Sequence, residues 1–104
     1  MLVIRAALKS DLDSIKKYSL QLLKEETLYS NYLTYNRESE KSVRKWLTKI
    51  FRNKNYKFFV AEEDSKIIGM CFGCIEKREP VYSDKRIGYI WQIFIESSMR
   101  GRGI

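Results

Sequence analysis

Apolar and polar positions follow three different rhythms along this chain. Leu2 to Ala7 is a short apolar run interrupted by Arg5, which reads as a first strand. From Ser10 the rhythm lengthens. Leu12, Ile15, Tyr18 or Ser19, Leu22 and Leu23 recur at helical spacing to about Glu26, with Lys16, Lys17 and Lys24 mostly on the other side. This predicts an amphipathic helix capped by Ser10, with Asp11 and Asp13 near its positive end.

The stretch LYSNYLTYN, Leu28 to Asn36, breaks the helical pattern. Ser39 and Glu40 then open a second predicted helix, in which Val43, Trp46, Leu47, Ile50 and Phe51 form a stripe at i, i+3, i+4, i+7 and i+8. Asn53 to Asn55 end it. Lys57 to Glu63 is aromatic and β-branched; Asp64-Ser65-Lys66 is a turn, and IIGMCFGCIEK follows as the returning strand. Gly69 and Gly73 inside that strand imply a bend or a close neighbouring backbone. REPVYSDKR is a polar connection holding the only proline, Pro80. Ile87 to Ile95 is almost continuously apolar, as a central strand covered on both faces would be.

The predicted order is strand, helix, helix, strand, strand, strand, turn. Both helices must lay their stripes on the sheet, so the fold class is α+β in mixed α/β layers. The chain of 104 residues, 44% hydrophobic, is sized for a single core, and residues 1–104 are read as one domain without a linker. The N-terminus lacks the long apolar centre of a signal peptide, and no stretch reaches the roughly 20 apolar residues of a membrane span. A soluble protein of the cytoplasm, without a membrane partner, is expected.

A formal charge of +7 favours anionic partners. The basic residues are dispersed, however, which describes a solvated coat more often than a binding face. Cys71 and Cys74 have the CxxC spacing of redox and zinc sites, but their flanks read as strand, where residues three apart point to opposite faces. With no histidine and no second CxxC in the sequence, a zinc site lacks ligands. The plainer reading is two strand cysteines, at least one of them in the core.

The last ten residues, IESSMRGRGI, carry the candidate chemistry. A glycine-rich turn directly behind a buried strand lets successive backbone N–H groups converge on phosphate oxygens, and a helix starting after it would add its positive end. Gly101 and Gly103 give the backbone freedom; Arg100 and Arg102 give charge. The other readings of RGRG are a basic tail or a nucleic-acid contact.

IWQIFIESSMRGRGI resembles the acyl-CoA-binding motif of the GNAT superfamily of N-acyltransferases: a central strand, then Gln or Arg, two residues, Gly, one residue, and Gly or Ala. Arg100 matches the first position and Gly103 the fourth, while the sixth would be residue 105, beyond this sequence. IRAALKSDLDSI resembles the first strand and helix of that family, and FFVAEEDSKIIGM its second and third strands. The resemblance covers the whole chain but only the N-terminal part of the family fold, a β-α-α-β-β-β unit truncated after the fourth strand.

The resemblance implies acetyl-CoA as co-substrate and an amine as acceptor. Its pantetheine arm would pair with the backbone of Ile93, Phe94 and Ile95, and its diphosphate would meet Arg100, Gly101, Arg102, Gly103 and Ile104. The amine attacks the thioester directly, which requires a base for the ammonium proton and an acid for the leaving thiolate. The fourth strand has no Asp or Glu between Ile87 and Ile95. Tyr89 and Gln92 are its candidates for holding a catalytic water, with packing or hydrogen bonding as their other reading. Tyr29, Tyr32 and Tyr35 match the region where relatives contact acceptors, unless they merely cover the core.

The family's general-acid tyrosine belongs to a later helix. The fourth strand is then expected to have an uncovered edge, inviting a homodimer, strand exchange or a complementing fragment. These features imply a fragment of an N-acetyltransferase with weak or no transfer of its own. The alternative is a non-catalytic basic binding module on a decayed acyltransferase fold, although no aromatic-interleaved basic patch supports a nucleic-acid partner.

Overall fold

Two amphipathic helices lie on one face of a four-stranded antiparallel sheet in a computed structural model that describes residues 1–77, 86–101 and 103. The elements are β1 (Leu2–Ala6), α1 (Leu12–Glu26), α2 (Arg37–Phe51), β2 (Tyr56–Glu63), β3 (Lys66–Lys77) and β4 (Arg86–Ile95), and the strands stand in the order β1-β2-β3-β4. This is the α+β arrangement that the periodicities predict. The connection carrying Pro80 lies outside the described residues, apart from Arg86 at its end.

The core forms where the helical stripes meet one set of alternating strand positions. Ile15 and Tyr18 of α1 and Leu47 and Ile50 of α2 pack with Phe58, Val60, Met70, Phe72 and Phe94 of the sheet. Phe58 and Phe72 stack across the β2–β3 ladder with ring centroids 4.7 Å apart, and Tyr18 stacks on Phe94 at 5.1 Å. Cys74 is buried and Cys71 only partly so, and neither is in a disulfide.

Both helix starts differ from expectation. Ser10 is exposed in a short 3-10 turn, Lys9–Asp11, and caps nothing. Asp11 organises the turn instead: its carboxylate accepts the Leu8 N–H at 2.7 Å and two guanidinium N–H groups of Arg5 at 2.7 and 3.1 Å. A carboxylate that can hold a strand arginine and a backbone amide together outcompetes a hydroxyl. In α2 the cap is Asn36, whose Oδ1 accepts from Ser39 N–H at 2.9 Å while Ser39 Oγ accepts from Asn36 N–H at 2.7 Å. Ser39 therefore closes a reciprocal cap from the third helical position and does not open the helix.

The β2–β3 turn is the two-residue form whose backbone twist suits a hairpin, with Asp64 at φ 50° and Ser65 at φ 66°. The two strand glycines mark close backbone approaches, as expected. A Cβ on Gly69 would lie 2.8 Å from the Phe94 carbonyl oxygen, and one on Gly73 would overlap the Tyr89 carbonyl.

β4 is not central. Among the described residues it pairs only with β3, and its apolar run is largely uncovered: Ile90 is 74% exposed and Ile93 63%. Phe94 is the one deeply buried residue among those of this strand whose side chains are described. A continuous apolar run signals two faces suited to burial, but only the helix side is covered here. Among the described residues the β4 edge away from β3 has no neighbouring strand, and its face away from the helices is exposed, unlike the strand covered on both faces that the apolar run suggests. No helix among the described residues is long and apolar enough to cross a membrane.

Candidate functional site

The β3–β4 ladder loses register at one place. Phe72 pairs with Gln92 and Gly73 with Ile90, so Trp91 is an extra residue in β4. Such a bulge turns two consecutive side chains to the same face and interrupts the ladder. Trp91 packs edge-on against Trp46 of α2 with centroids 6.1 Å apart, and its indole N–H donates to Cys74 Sγ at 3.0 Å. Gln92 points to the same side, where its Oε1 accepts the hydroxyl of Ser19 in α1 at 2.6 Å. The predicted strand contained no sign of the extra residue except Gly73 opposite it, the small residue that lets the bulged backbone approach.

Beyond the bulge, strand alternation decides which backbone groups remain available. Glu96 N–H donates to the Ile68 carbonyl at 2.8 Å. The polar groups of Phe94 therefore turn towards β3, while those of Ile93 and Ile95 turn to the open edge. Of the three residues named from the sequence, two present their backbone outward. A free edge of this kind accepts an extended, amide-bearing ligand as an added strand.

After a 3-10 segment, Ser97–Met99, the chain passes Arg100 to Gly101 at φ 82° and Gly103 at φ 78°. Both values lie in the left-handed region where glycine is at ease. Arg100 folds back: Nε donates to the Ile95 carbonyl at 2.7 Å, Nη2 reaches Glu25 of α1 at 3.4 Å, and the guanidinium carbon sits 5.0 Å from the Phe94 ring centre. Arg102 and Ile104 lie outside the described residues.

Close to the end of β4, Tyr18 donates its hydroxyl to the Ile67 carbonyl at 2.5 Å, and Lys66 Nζ lies 3.5 Å from Glu96 Oε2. Burial, with the Glu96 carboxylate nearby, pushes the Tyr18 phenol up to about 12. Tyr18 thus keeps its proton at neutral pH. Burial likewise raises the Cys71 thiol, leaving it a weak nucleophile.

The remaining predicted residues are not gathered into one cluster. Tyr89 is half-exposed three residues before Gln92, and Gln92 is committed to Ser19. Tyr29 and Tyr32 are 90% and 97% exposed, so they do not cover the core; Tyr35 is less open, with Lys24 Nζ 5.9 Å from its ring centre. Among the described residues no group of His, Cys, Asp and Glu is placed to hold a metal. Two apolar grooves of about 400 and 280 Å³ lie on the helix-free face, around Phe59, Cys71, Ile90 and Ile93. Among the described residues neither is lined by a carboxylate, and the larger one is bordered by Lys57 and Tyr89.

The model of the acetyltransferase (GNAT) family matches residues 20–104. The fold is that of a possible acetyltransferase from Clostridium difficile 630 (TM-score 0.79, 18% identity, covering 99% of this chain and 62% of that one). It is also similar to a GCN5-related N-acetyltransferase from Ralstonia eutropha JMP134 (TM-score 0.79, 20% identity, 99% and 67%). A predicted acetyltransferase from Clostridium acetobutylicum, solved with acetyl-CoA, aligns with TM-score 0.70 and 24% identity over 100% of this chain and 66% of its own. The chain spans about two-thirds of the length of these three structures. Comparison with curated protein sequences finds no significant match.

Proposed function

The chain belongs to the acetyltransferase (GNAT) family, and from that premise we propose that it binds acetyl-CoA along β4 and takes part in acetyl transfer to an amine. One observation carries the reading: an interrupted, open-edged strand leads, through one 3-10 segment, into a turn with two left-handed glycines. In this reading the amides of Ile93 and Ile95 and the carbonyl of Ile93 pair with the pantetheine arm, the Ile95 carbonyl being held by Arg100, and Gly101 and Gly103 lend their amides to the diphosphate. Arg102 and Ile104 belong to the same turn by sequence.

The reaction needs little covalent help. The neutral amine attacks the thioester carbonyl, the C–S bond breaks, and the thiolate takes up a proton as the new amide nitrogen loses one. An N–H near the bulge would polarise the carbonyl. The weak point is proton transfer, because β4 has no carboxylate. Gln92 and Tyr89 can at most hold a water there, so residues 1–104, taken as one unit, are expected to bind acetyl-CoA better than they turn it over. The exposed Tyr29, Tyr32 and Tyr35 are proposed to meet the acceptor.

The open edge of β4 and the apolar helix-free face favour self-association in the cytoplasm, as a homodimer or by strand exchange. A nucleic-acid module is the weaker reading, since Arg100 is already engaged within the fold. Titration with acetyl-CoA followed by amide NMR tests the proposal. Ile93, Ile95, Gly101 and Gly103 should shift together and saturably; no binding at millimolar acetyl-CoA would remove it.

A further inference from the structure

The arginine that opens the turn makes three contacts inside the protein, and each uses a different part of its guanidinium. Nε donates to the Ile95 carbonyl at 2.7 Å, a short charge-assisted bond to an outward-facing backbone group of β4. The Phe94 ring lies 5.0 Å from the guanidinium carbon, within reach of a cation–π contact. Nη2 is 3.4 Å from Glu25 Oε1 in the last turn of α1, joining residues 75 apart in sequence. Arg100 itself has an extended backbone, φ −69° and ψ 147°, and the first left-handed glycine follows immediately. The direction in which the glycine turn leaves the sheet is therefore set at the residue whose side chain is pinned to both β4 and α1.

We propose that Arg100 is a positioning residue: held by Ile95, Phe94 and Glu25, it aims the Gly101 and Gly103 amides and does not itself bind the diphosphate. This rests on the reading of the turn as a diphosphate site. It reverses the role that charge alone suggests for an arginine beside a phosphate loop, and it gives Glu25 a part that no motif marks. Glu25 is an acid near an anion site, which is tolerable only if its charge is directed at Arg100.

The two roles predict opposite signs for Glu25→Gln. If Arg100 were a phosphate ligand, this change would release its guanidinium and remove a nearby negative charge, and acetyl-CoA would bind as tightly or more tightly. If Arg100 positions the turn, Glu25→Gln loosens it, and acetyl-CoA binding weakens by about two- to fivefold, the worth of an exposed ion pair. Arg100→Ala weakens it further, by about tenfold or more, because the bond to the Ile95 carbonyl is also lost. Arg100→Lys restores little, since a point charge cannot span both partners.

The experiment combines calorimetry of acetyl-CoA binding with hydrogen exchange at the Gly101 and Gly103 amides of the ligand-free chain, for wild type, Glu25→Gln, Arg100→Ala and Arg100→Lys. Faster glycine exchange together with weaker binding in Glu25→Gln is the expected result. Tighter or unchanged binding in Glu25→Gln, or glycine amides that neither Glu25→Gln nor Arg100→Ala disturbs, overturns the inference. If wild type fails to bind acetyl-CoA while Glu25→Gln and Arg100→Ala still speed glycine exchange, the positioning role stands and the functional reading falls. Glu25 is half-exposed, so its variant keeps the test open even if Arg100→Ala does not fold.

Discussion

The Ser19 hydroxyl donates to Gln92 Oε1 at 2.6 Å, joining the middle of α1 to β4 beside its extra residue. Ser19 is almost completely buried, and among the described residues no buried side-chain polar atom lacks a partner. The bond therefore holds the bulged strand against the helix layer in one register. Ser19→Ala leaves the Gln92 amide oxygen without this donor and should cost about 1–3 kcal/mol, read as a lower urea midpoint with an unchanged slope. Unchanged stability would mean that Gln92 readily finds another partner.

The strand glycines and the turn glycines should respond differently. Gly73→Ala places a methyl group against the Tyr89 carbonyl, backbone that cannot step aside, and should destabilise the fold by about 1–3 kcal/mol. At Gly101 an added Cβ meets nothing within 4 Å, so Gly101→Ala costs only the left-handed conformation, about 1 kcal/mol, borne locally. Thermal melting should separate the two, while acetyl-CoA titration should reveal the defect in Gly101→Ala.

Tyr18 gives an alkaline signature. Its phenol is pushed up to about 12 in the fold, above the value of about 10 for a free tyrosine. The folded state thus holds this proton more tightly than the unfolded one. The corresponding stability is complete below pH 10 and is lost as pH rises towards 12. Ultraviolet titration should show a tyrosine ionisation displaced to high pH that Tyr18→Phe removes. A titration curve that Tyr18→Phe leaves unchanged at its alkaline end would contradict the burial of this hydroxyl.

Asp11 gives an acidic one. The Arg5 guanidinium holds its carboxyl below the usual carboxylate range, helped by the Leu8 amide and opposed by burial. The charged form is favoured by folding, so this stability is present above the unfolded carboxylate value, about 4, and disappears as pH falls through the lower folded one. Asp11→Asn should destabilise the chain at pH 7 and make little difference at the acidic end. An equal loss of stability at both pH values would show that packing, and not charge, accounts for the residue.

The open edge predicts association. Sedimentation should give a weight that rises with concentration, and Ile93→Lys, which puts a charge on the exposed apolar face of β4, should shift the chain towards monomer. A wild-type chain that stays monomeric at high concentration would exclude pairing through this edge.

Local chemistry by itself determined the element order, both helical stripes and the close approaches at Gly69 and Gly73, because a period of 3.6 or 2 and a missing Cβ are properties of a few consecutive residues. It also marked the glycine turn. Only the tertiary structure decided that Asp11 displaces Ser10, that Trp91 is an extra residue, and that Arg100 turns inward to Glu25. Each of these depends on a partner distant in sequence, or on a count of residues across a ladder, which no window along the chain contains. The placing of β4 at the edge belongs to the same class: an apolar run declares what its side chains could be buried by, and pairing alone settles what covers them.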